Sequence, residues 1–373
     1  MQQKSILIVG GGVGGMAAAI SLSHTGHKVE LIDLDAQWRV YGAGITITGP
    51  TLRAFKALGV LPEIQQQAYT GEGIQVCSTD GARLAVLPTP VRPEDGIPGC
   101  GGIMRPVLHK ILSERVLAAG VNVRLGLTVE KLTQSANQVE VTLTDGSSSV
   151  RDLVIGADGL FSQIRHMIFP DSPAPEYTGQ SAWRAQLQRP PEIDRRHFFL
   201  GGPYKVGLTP VSNERMYMFL LENSPEKRRI PEEDLAAELE RLTRAYGGII
   251  REIGKSLTAE NTIVHRPLEA FLLPGPWYRG RVLLIGDAAH PTTPQLASGA
   301  GLAAEDGLVL AEEMAKSADI DLALKRYMAR RYERCLLVVR NSLEIGRREQ
   351  AGRPISEQTA LVEQSLNALA API

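Results

Sequence analysis

The period of the hydrophobic positions changes several times along the chain, and each change marks an element. Ile6 to Val9 is a short unbroken run of branched apolar residues, the pattern of a strand buried on both faces of a parallel sheet. Met16 to Leu22 is an Ala-rich helical stretch, and Val29 to Ile32 is a second buried strand. The chain is thus expected to open as strand, turn, helix, strand. Helices are predicted from about Thr51 to Leu58 and from Met104 to Ala119, where Pro106 suits a first turn.

Between them, from Gly73 to Pro98, short strands (Ile74 to Val76, Ala82 to Leu87) lead into a Pro-rich stretch. Strict alternation at Val121 to Leu125, Thr128 to Leu132 and Val139 to Leu143, with a turn at Asp145-Gly146, predicts a meander. Asp152 to Ile155 is again a buried strand. From Tyr177 to His265 the strands Ala182 to Leu187, Phe198 to Leu200, Lys205 to Leu208 and Met216 to Leu221 are antiparallel in character, with one helix at about Glu232 to Tyr246. The parallel-sheet pattern returns at Arg281 to Ile285. A helix follows, Leu302 to Ala315, opened by Gly299-Ala300-Gly301, and then a longer one, Leu322 to about Arg348. The arginines of that last helix read as a solvated face paired with Glu333, Glu344 and Glu349.

The fold class implied is α/β: a Rossmann-like dinucleotide-binding domain with an inserted mixed, largely antiparallel β-sheet substrate domain and C-terminal helices. The expected division is residues 1–72, 99–175 and 275–318 for the nucleotide domain, 73–98 and 176–274 for the substrate domain, and 319–373 for the helical end. With 373 residues, 43% apolar and 22% charged, the chain can bury a large core. A net charge of −1 gives no reason to expect nucleic acid or an acidic membrane surface as partner. No apolar run approaches the roughly 20 residues that span a bilayer. The apolar start is no secretory signal, because five of the six positions from Gly10 to Gly15 are glycine. Cys77, Cys100 and Cys335 are odd in number and far apart, which reads as free thiols in a reducing compartment, the cytoplasm.

Three segments carry candidate chemistry. In Gly10-x-Gly12-x-x-Gly15, Gly10 permits a sharp exit from the strand, Gly12 lets backbone approach a pyrophosphate, and Gly15 lets helix and strand pack closely; the helix N-terminus then favours phosphate. Asp33, at the end of the second strand, is placed to accept from a ribose hydroxyl. A Gly-rich segment beyond it, Gln37 to Pro50, carries Arg39 and Gly44 and can lie against a flat ligand. In the second segment a buried strand runs into Asp158-Gly159. In the third, Gly286-Asp287 puts a carboxylate at a strand end close before a helix N-terminus, where it can accept from a polyol while the helix stabilises an anion. These features alone leave NAD and FAD open.

Taken together and in order, Gly10 to Gly15, Gly156-Ala157-Asp158-Gly159 with Ser162 and Arg165, and Gly286-Asp287-Ala288-Ala289-His290 with Pro294 and Glu305-Asp306, followed by Tyr327, Arg330 and Arg331, resemble the class A flavin-dependent aromatic hydroxylases over residues 1 to about 350. The resemblance implies FAD as cofactor. Gly10, Gly12, Gly14 and Gly15 would hold its pyrophosphate and Asp33 its adenosine ribose. Arg39 and Arg105 would contact phosphate or ribityl groups, Gly44 would line the same site, and Val129 would lie at the adenine. Gly286 and Asp287 would face the ribityl chain, Gly299 and Ala300 the isoalloxazine, and Asp158 would serve both FAD and NAD(P)H. Many members have Gly-Gln-Gly where this chain has Ala297-Ser298-Gly299-Ala300, a change that bears on flavin positioning.

The implied activity is monooxygenation: NADH or NADPH, bound transiently, reduces FAD, and O2 forms a flavin hydroperoxide that hydroxylates a small aromatic or N-heteroaromatic substrate. Such a substrate reacts best as its anion. His197, His265 and His290 sit in no evident acid–base constellation, so Arg184, on the first strand of the inserted region, is the candidate to hold that anion, against a plain structural salt bridge. Pro294 is the second candidate at the reacting face. The chain is expected to act as a monomer or homodimer. Alternatives are a non-catalytic FAD-binding redox or small-molecule sensor and another FAD oxidoreductase of the same fold. A halogenase is disfavoured because Trp38, Trp183 and Trp277 are dispersed, and an NAD-dependent dehydrogenase leaves Gly286 to Gly301 unexplained.

Overall fold

The computed structural model describes residues 3–40, 42–89, 91 and 96–373. Tyr41 and much of the Pro-rich stretch, residues 90 and 92–95, lie outside the described residues.

The four apolar residues Ile6 to Val9 are all buried because their strand, Ser5–Val9, lies inside a six-stranded sheet. The order across that sheet is Tyr278–Arg279, Val282–Leu284, Leu153–Gly156, Ser5–Val9, Lys28–Asp33 and Asn122–Leu125. All neighbours run parallel except the short edge strand Tyr278–Arg279. The helix Val13–His24 crosses from the first strand to the second. Its small residues allow close approach by the helix Gly299–Lys316: a side chain at Gly307 would strike the backbone of Ala17 and Ala18.

The expected meander divides between two sheets. Asn122–Leu125 follows the helix Arg105–Ala118 and joins the parallel sheet beside Lys28–Asp33, whereas Val129–Gln134, Val139–Leu143 and Ser148–Arg151 form a separate antiparallel sheet. The alternation was read correctly as strand, but period two does not say which neighbour a strand pairs with.

A second large sheet has the order Ile263–Ala270, Glu176–Gln188, Arg215–Asn223, Lys205–Pro210, Arg196–Phe199, Ile74–Cys77, Arg83–Leu87. Its strands are antiparallel apart from Arg196–Phe199 against Ile74–Cys77. Trp183, Leu208, Leu220, Leu239, Leu242 and Ile250 make a core between it and the helices Leu235–Thr243 and Gly248–Ser256. The helix expected at about Glu232 to Tyr246 is Leu235–Thr243, and a second helix that the sequence did not signal, Gly248–Ser256, follows it. A three-stranded sheet, Gly44–Thr48, Cys100–Met104 and Tyr69–Gly71, lies between the large sheets in the chain path.

The long helix Ile320–Gln350 corrects the expectation of a solvated arginine face. Arg331 is wholly buried and pairs with Glu305 and Asp306, Arg334 pairs with Glu305, and Arg330 with Glu312 and Glu313. Among the described residues only Arg347 and Arg348 pair with Glu344 as expected, and Glu349 pairs with Lys205. A further helix, Ile355–Leu369, follows; Arg53 donates to the carbonyls of Leu369, Ala370 and Ala371 at its end. No helix among the described residues is long and apolar enough to cross a membrane.

Candidate active site

Where the first strand ends, the backbone turns at Gly10, whose φ of 109° suits glycine and whose missing side chain makes room for the Ala157 carbonyl. Asp33 holds this turn: its Oδ2 accepts from Gly11 N at 2.6 Å and its Oδ1 from Asp35 N at 2.8 Å. A carboxylate has about four acceptor positions, so capacity for a ribose hydroxyl remains. The Trp38 indole donates to Gly11 O at 3.0 Å, and open space lies beside Gly12 where a side chain would otherwise stand. Gly12, Val13 and Gly14 line a deep cleft at the N-terminus of Val13–His24, with the unpaired N–H groups that such a terminus offers.

Asp158 does something more local than the sequence suggested. Its carboxylate accepts from Ser162 Oγ at 2.6 Å and from Ile164 N at 3.0 Å, which fixes the start of the helix Gln163–Ile168. The neighbours Ala157 and Gly159 line the cleft, and Asp158 is not among its lining residues. Arg165, buried below, donates to the carbonyls of Ala288 and Leu160 and so ties this turn to the third one.

The third turn is anchored by Asp306. Its Oδ2 accepts from Gly286 N at 2.8 Å and from His290 Nε2 at 2.7 Å, while its Oδ1 accepts from Arg331 Nε at 2.7 Å. Burial alone would raise the Asp306 carboxyl, but His290 and Arg331 outweigh it and bring its pKa down to about 2. His290, which the sequence left without a constellation, thus belongs to a buried ionic network that includes Glu305, Arg331 and Arg334 and is structural in position. The network fixes Gly286-Asp287 opposite the start of Gly299–Lys316. Asp287 stands in the cleft wall with its side chain open to the cleft; partial desolvation there raises its carboxyl, and His290 and Arg105 partly offset that.

The cleft has a volume of about 440 Å3, within the usual range for small-molecule sites. One wall carries Gly12, Gly14, Gly286, Asp287, Pro294, Gly299 and Ala300; the other, from the seven-stranded sheet, carries Arg184, Tyr217 and Phe219. Pro294 opens a short turn to Leu296, Ala297 takes a left-handed conformation (φ 49°), and the helix then begins at Gly299 with its first N–H groups facing the cleft end.

Arg184 is the sequence candidate that the fold brings in fully. Its strand, Glu176–Gln188, buries Trp183 on one side and turns Arg184 to the cleft on the other. No carboxylate among the described residues pairs with it, so the salt-bridge alternative is not what the structure has. Burial and then the like charge of Arg105 lower its pKa to about 10, which leaves it charged at neutral pH. Arg105, also in the wall, is lowered by burial. Gly44 packs beneath the Tyr217 ring, whose hydroxyl is 2.7 Å from Thr46 Oγ1.

Other candidates lie elsewhere. Arg39 is exposed and paired with Asp35 at 3.1 Å, outside the cleft lining. Val129 is buried in the core, His197 bonds the Arg195 carbonyl, and His265 packs on Trp183. Thr46, Arg196, Phe198, Lys205, Tyr217 and Phe219 line the cleft without having been singled out. Their signal is alternation: Tyr217, Phe219 and Leu221 share one face of one strand.

Residues 3–342 match the FAD binding domain family. The chain is 31% identical to YetM of Bacillus subtilis (strain 168), provisionally named an FAD-dependent monooxygenase, over 95% of this chain and 96% of that protein. It is 30% identical to 2-heptyl-3-hydroxy-4(1H)-quinolone synthase of Pseudomonas aeruginosa (strain UCBPP-PA14), covering 82% and 80% of the two chains. In fold it is similar to Klebsiella pneumoniae HpxO, solved with FAD and uric acid, at a TM-score of 0.85 and 24% identity, over 98% of this chain and 95% of that one.

Proposed function

The chain belongs to the class A flavin-dependent aromatic hydroxylases, FAD-dependent monooxygenases, and from that premise we propose that it hydroxylates a small aromatic or N-heteroaromatic compound bound as its anion at Arg184. The observation that carries the substrate reading is the uncompensated Arg184 guanidinium in the cleft wall facing the start of Gly299–Lys316. A half-buried cation without a protein partner is costly unless a ligand supplies the anion.

The residues present fit FAD. Open space at Gly12 admits a pyrophosphate beside a helix N-terminus, Asp33 and Asp287 offer acceptors for the ribose and ribityl hydroxyls, and Arg105 brings positive charge to the cleft wall near Asp287. Bound FAD supplies the redox chemistry, taking two electrons from NADH or NADPH and reducing O2 with transfer of one oxygen atom to the substrate. The balance is one NAD(P)H, one proton, one O2 and one aromatic C–H giving NAD(P)+, water and the hydroxylated ring.

The protein's part is binding, charge placement and exclusion of water. Arg184 holds the substrate oxyanion and keeps the ring in its electron-rich state. The N–H groups of Gly299 and Ala300 stabilise negative charge at the reacting end, and Pro294 shapes the wall there. Tyr217, held by Thr46, closes the cleft beside Arg184. The single glycine fingerprint supports transient binding of NAD(P)H, and three free buried thiols support a cytoplasmic setting.

The test is a screen of phenolic and N-heteroaromatic acids for stimulated NAD(P)H oxidation by the yellow protein. The proposal expects at least one acid to raise the rate and yield a product heavier by one oxygen. Stimulation confined to uncharged compounds would contradict the role given to Arg184.

A further inference from the structure

Arg184 is not the only uncompensated cation in the cleft wall. The strand registers put Arg184, Phe219, Gly207 and Phe198 directly opposite one another on four successive strands. Three strand spacings separate the backbones of Arg184 and Phe198, about 14 Å at about 4.8 Å per strand. Arg196 lies two residues before Phe198 on the same strand and therefore projects from the same face. It lines the same cleft as Arg184 and is 7% exposed.

Its surroundings give the guanidinium no counter-charge. Among the described residues Arg196 makes no ion pair and its Nε has no hydrogen-bond partner; it lies against the Phe198 ring at 5.2 Å and beside the Cys100 thiol. Lys205, between the two arginines in the sheet order, is already neutralised by Glu349 at 2.9 Å. The ground between the arginines is apolar. Gly207 has no side chain, which leaves room for the Phe219 ring; Phe198 and Phe219 meet edge to face at 5.7 Å. The cleft is thus a flat aromatic-lined trough with an unpaired guanidinium toward each end.

We propose that Arg196 forms a second anion-recognition point, distal to Arg184, so that the preferred substrate is an elongated aromatic or heteroaromatic compound with an acidic group at each end. This rests on the aromatic-anion reading of Arg184. One anion is held at the reacting end by Arg184; the other, a carboxylate or comparable oxyanion, is held by Arg196, while the ring system between them packs against Phe219 and Phe198. Recognition at both ends selects for length, because a short acid reaches one guanidinium and leaves the other buried without a partner.

The experiment is a flavin absorbance titration of the FAD-loaded protein with two rigid probes sharing one ring system, 2-naphthoate and naphthalene-2,6-dicarboxylate. The proposal expects the dicarboxylate to bind at least about tenfold more tightly, a difference of one charge-assisted contact. Arg196→Met should remove that preference while leaving 2-naphthoate affinity and flavin content unchanged, and Arg196→Lys should keep part of it. Equal affinity of the two probes for the unaltered protein, or equal weakening of both by Arg196→Met, would overturn the second subsite. Arg184→Met separates the two readings: it should weaken both probes, and if both are unaffected while the Arg196 effect persists, the Arg184 reading fails and the distal subsite stands.

Discussion

Asp306 receives the Nε of Arg331 at 2.7 Å with both side chains fully buried, and through its other oxygen it holds the backbone of Gly286, the residue before Asp287. A carboxylate on one helix thus links a second helix to the turn that presents the proposed ribityl acceptor. Its partners favour the charged form strongly enough to bring its pKa to about 2, from an ordinary value of 3.8.

Stability should therefore depend on acid in a defined direction. Because the folded pKa is depressed, the contribution of Asp306 is present above about pH 4 and is lost as pH falls through about 2. Asp306→Asn keeps the shape but leaves Arg331 with one fewer counter-charge, and an expected loss of about 3–5 kcal/mol would appear in thermal or urea unfolding. A variant as stable as the parent would show that Glu305 alone neutralises Arg331.

Asp287→Ala should leave the fold in place, since the side chain stands in the cleft wall, but weaken FAD retention by about 1.5–3 kcal/mol, the scale of a hydrogen bond to a charged group. Flavin fluorescence during dialysis measures this. Unchanged retention would remove Asp287 from the cofactor site.

For Asp33 the expected signature is selective. Asp33→Ala removes the acceptor of Gly11 N and the proposed ribose contact, so FAD affinity should fall about tenfold or more. The ratio of NADH to NADPH oxidation rates should stay the same. A reversed preference would mean that this nucleotide unit holds the nicotinamide cofactor instead.

How much of this was legible in the chain differs between its two walls. The cofactor wall is built from contiguous segments: Gly10 to Asp33 is one strand-turn-helix-strand unit, and Gly286 to Ala300 is one turn leading into one helix, so residue spacing carries most of the geometry. The opposite wall is assembled across strands. That Arg184, Phe219 and Phe198 fall in one row depends on three successive registers, which alternation does not encode. Arg331 was misread for the same reason, since its carboxylate partners lie 25 and 26 residues away on another helix. Asp158 shows the converse: the motif is in place, yet the carboxylate is engaged by Ser162 and Ile164 at the helix start it precedes.

Arg184→Met should keep FAD bound while the affinity for the stimulating aromatic acid falls by about tenfold or more and NAD(P)H oxidation yields hydrogen peroxide in place of product. Peroxide assay against product chromatography gives the coupling ratio. Full coupling at unchanged apparent affinity would place the anion at some other residue, with Arg105 the nearest alternative in the wall.

The central claim is that the chain transfers one atom of O2 to an anionic aromatic ring. Its most direct test is turnover of a stimulating aromatic acid under isotopically labelled dioxygen with NAD(P)H, followed by mass spectrometry of the product. The account predicts one labelled oxygen per product molecule, dependent on FAD. A product whose new oxygen comes from water, or NAD(P)H oxidation that ends wholly in hydrogen peroxide with every acid, would contradict it.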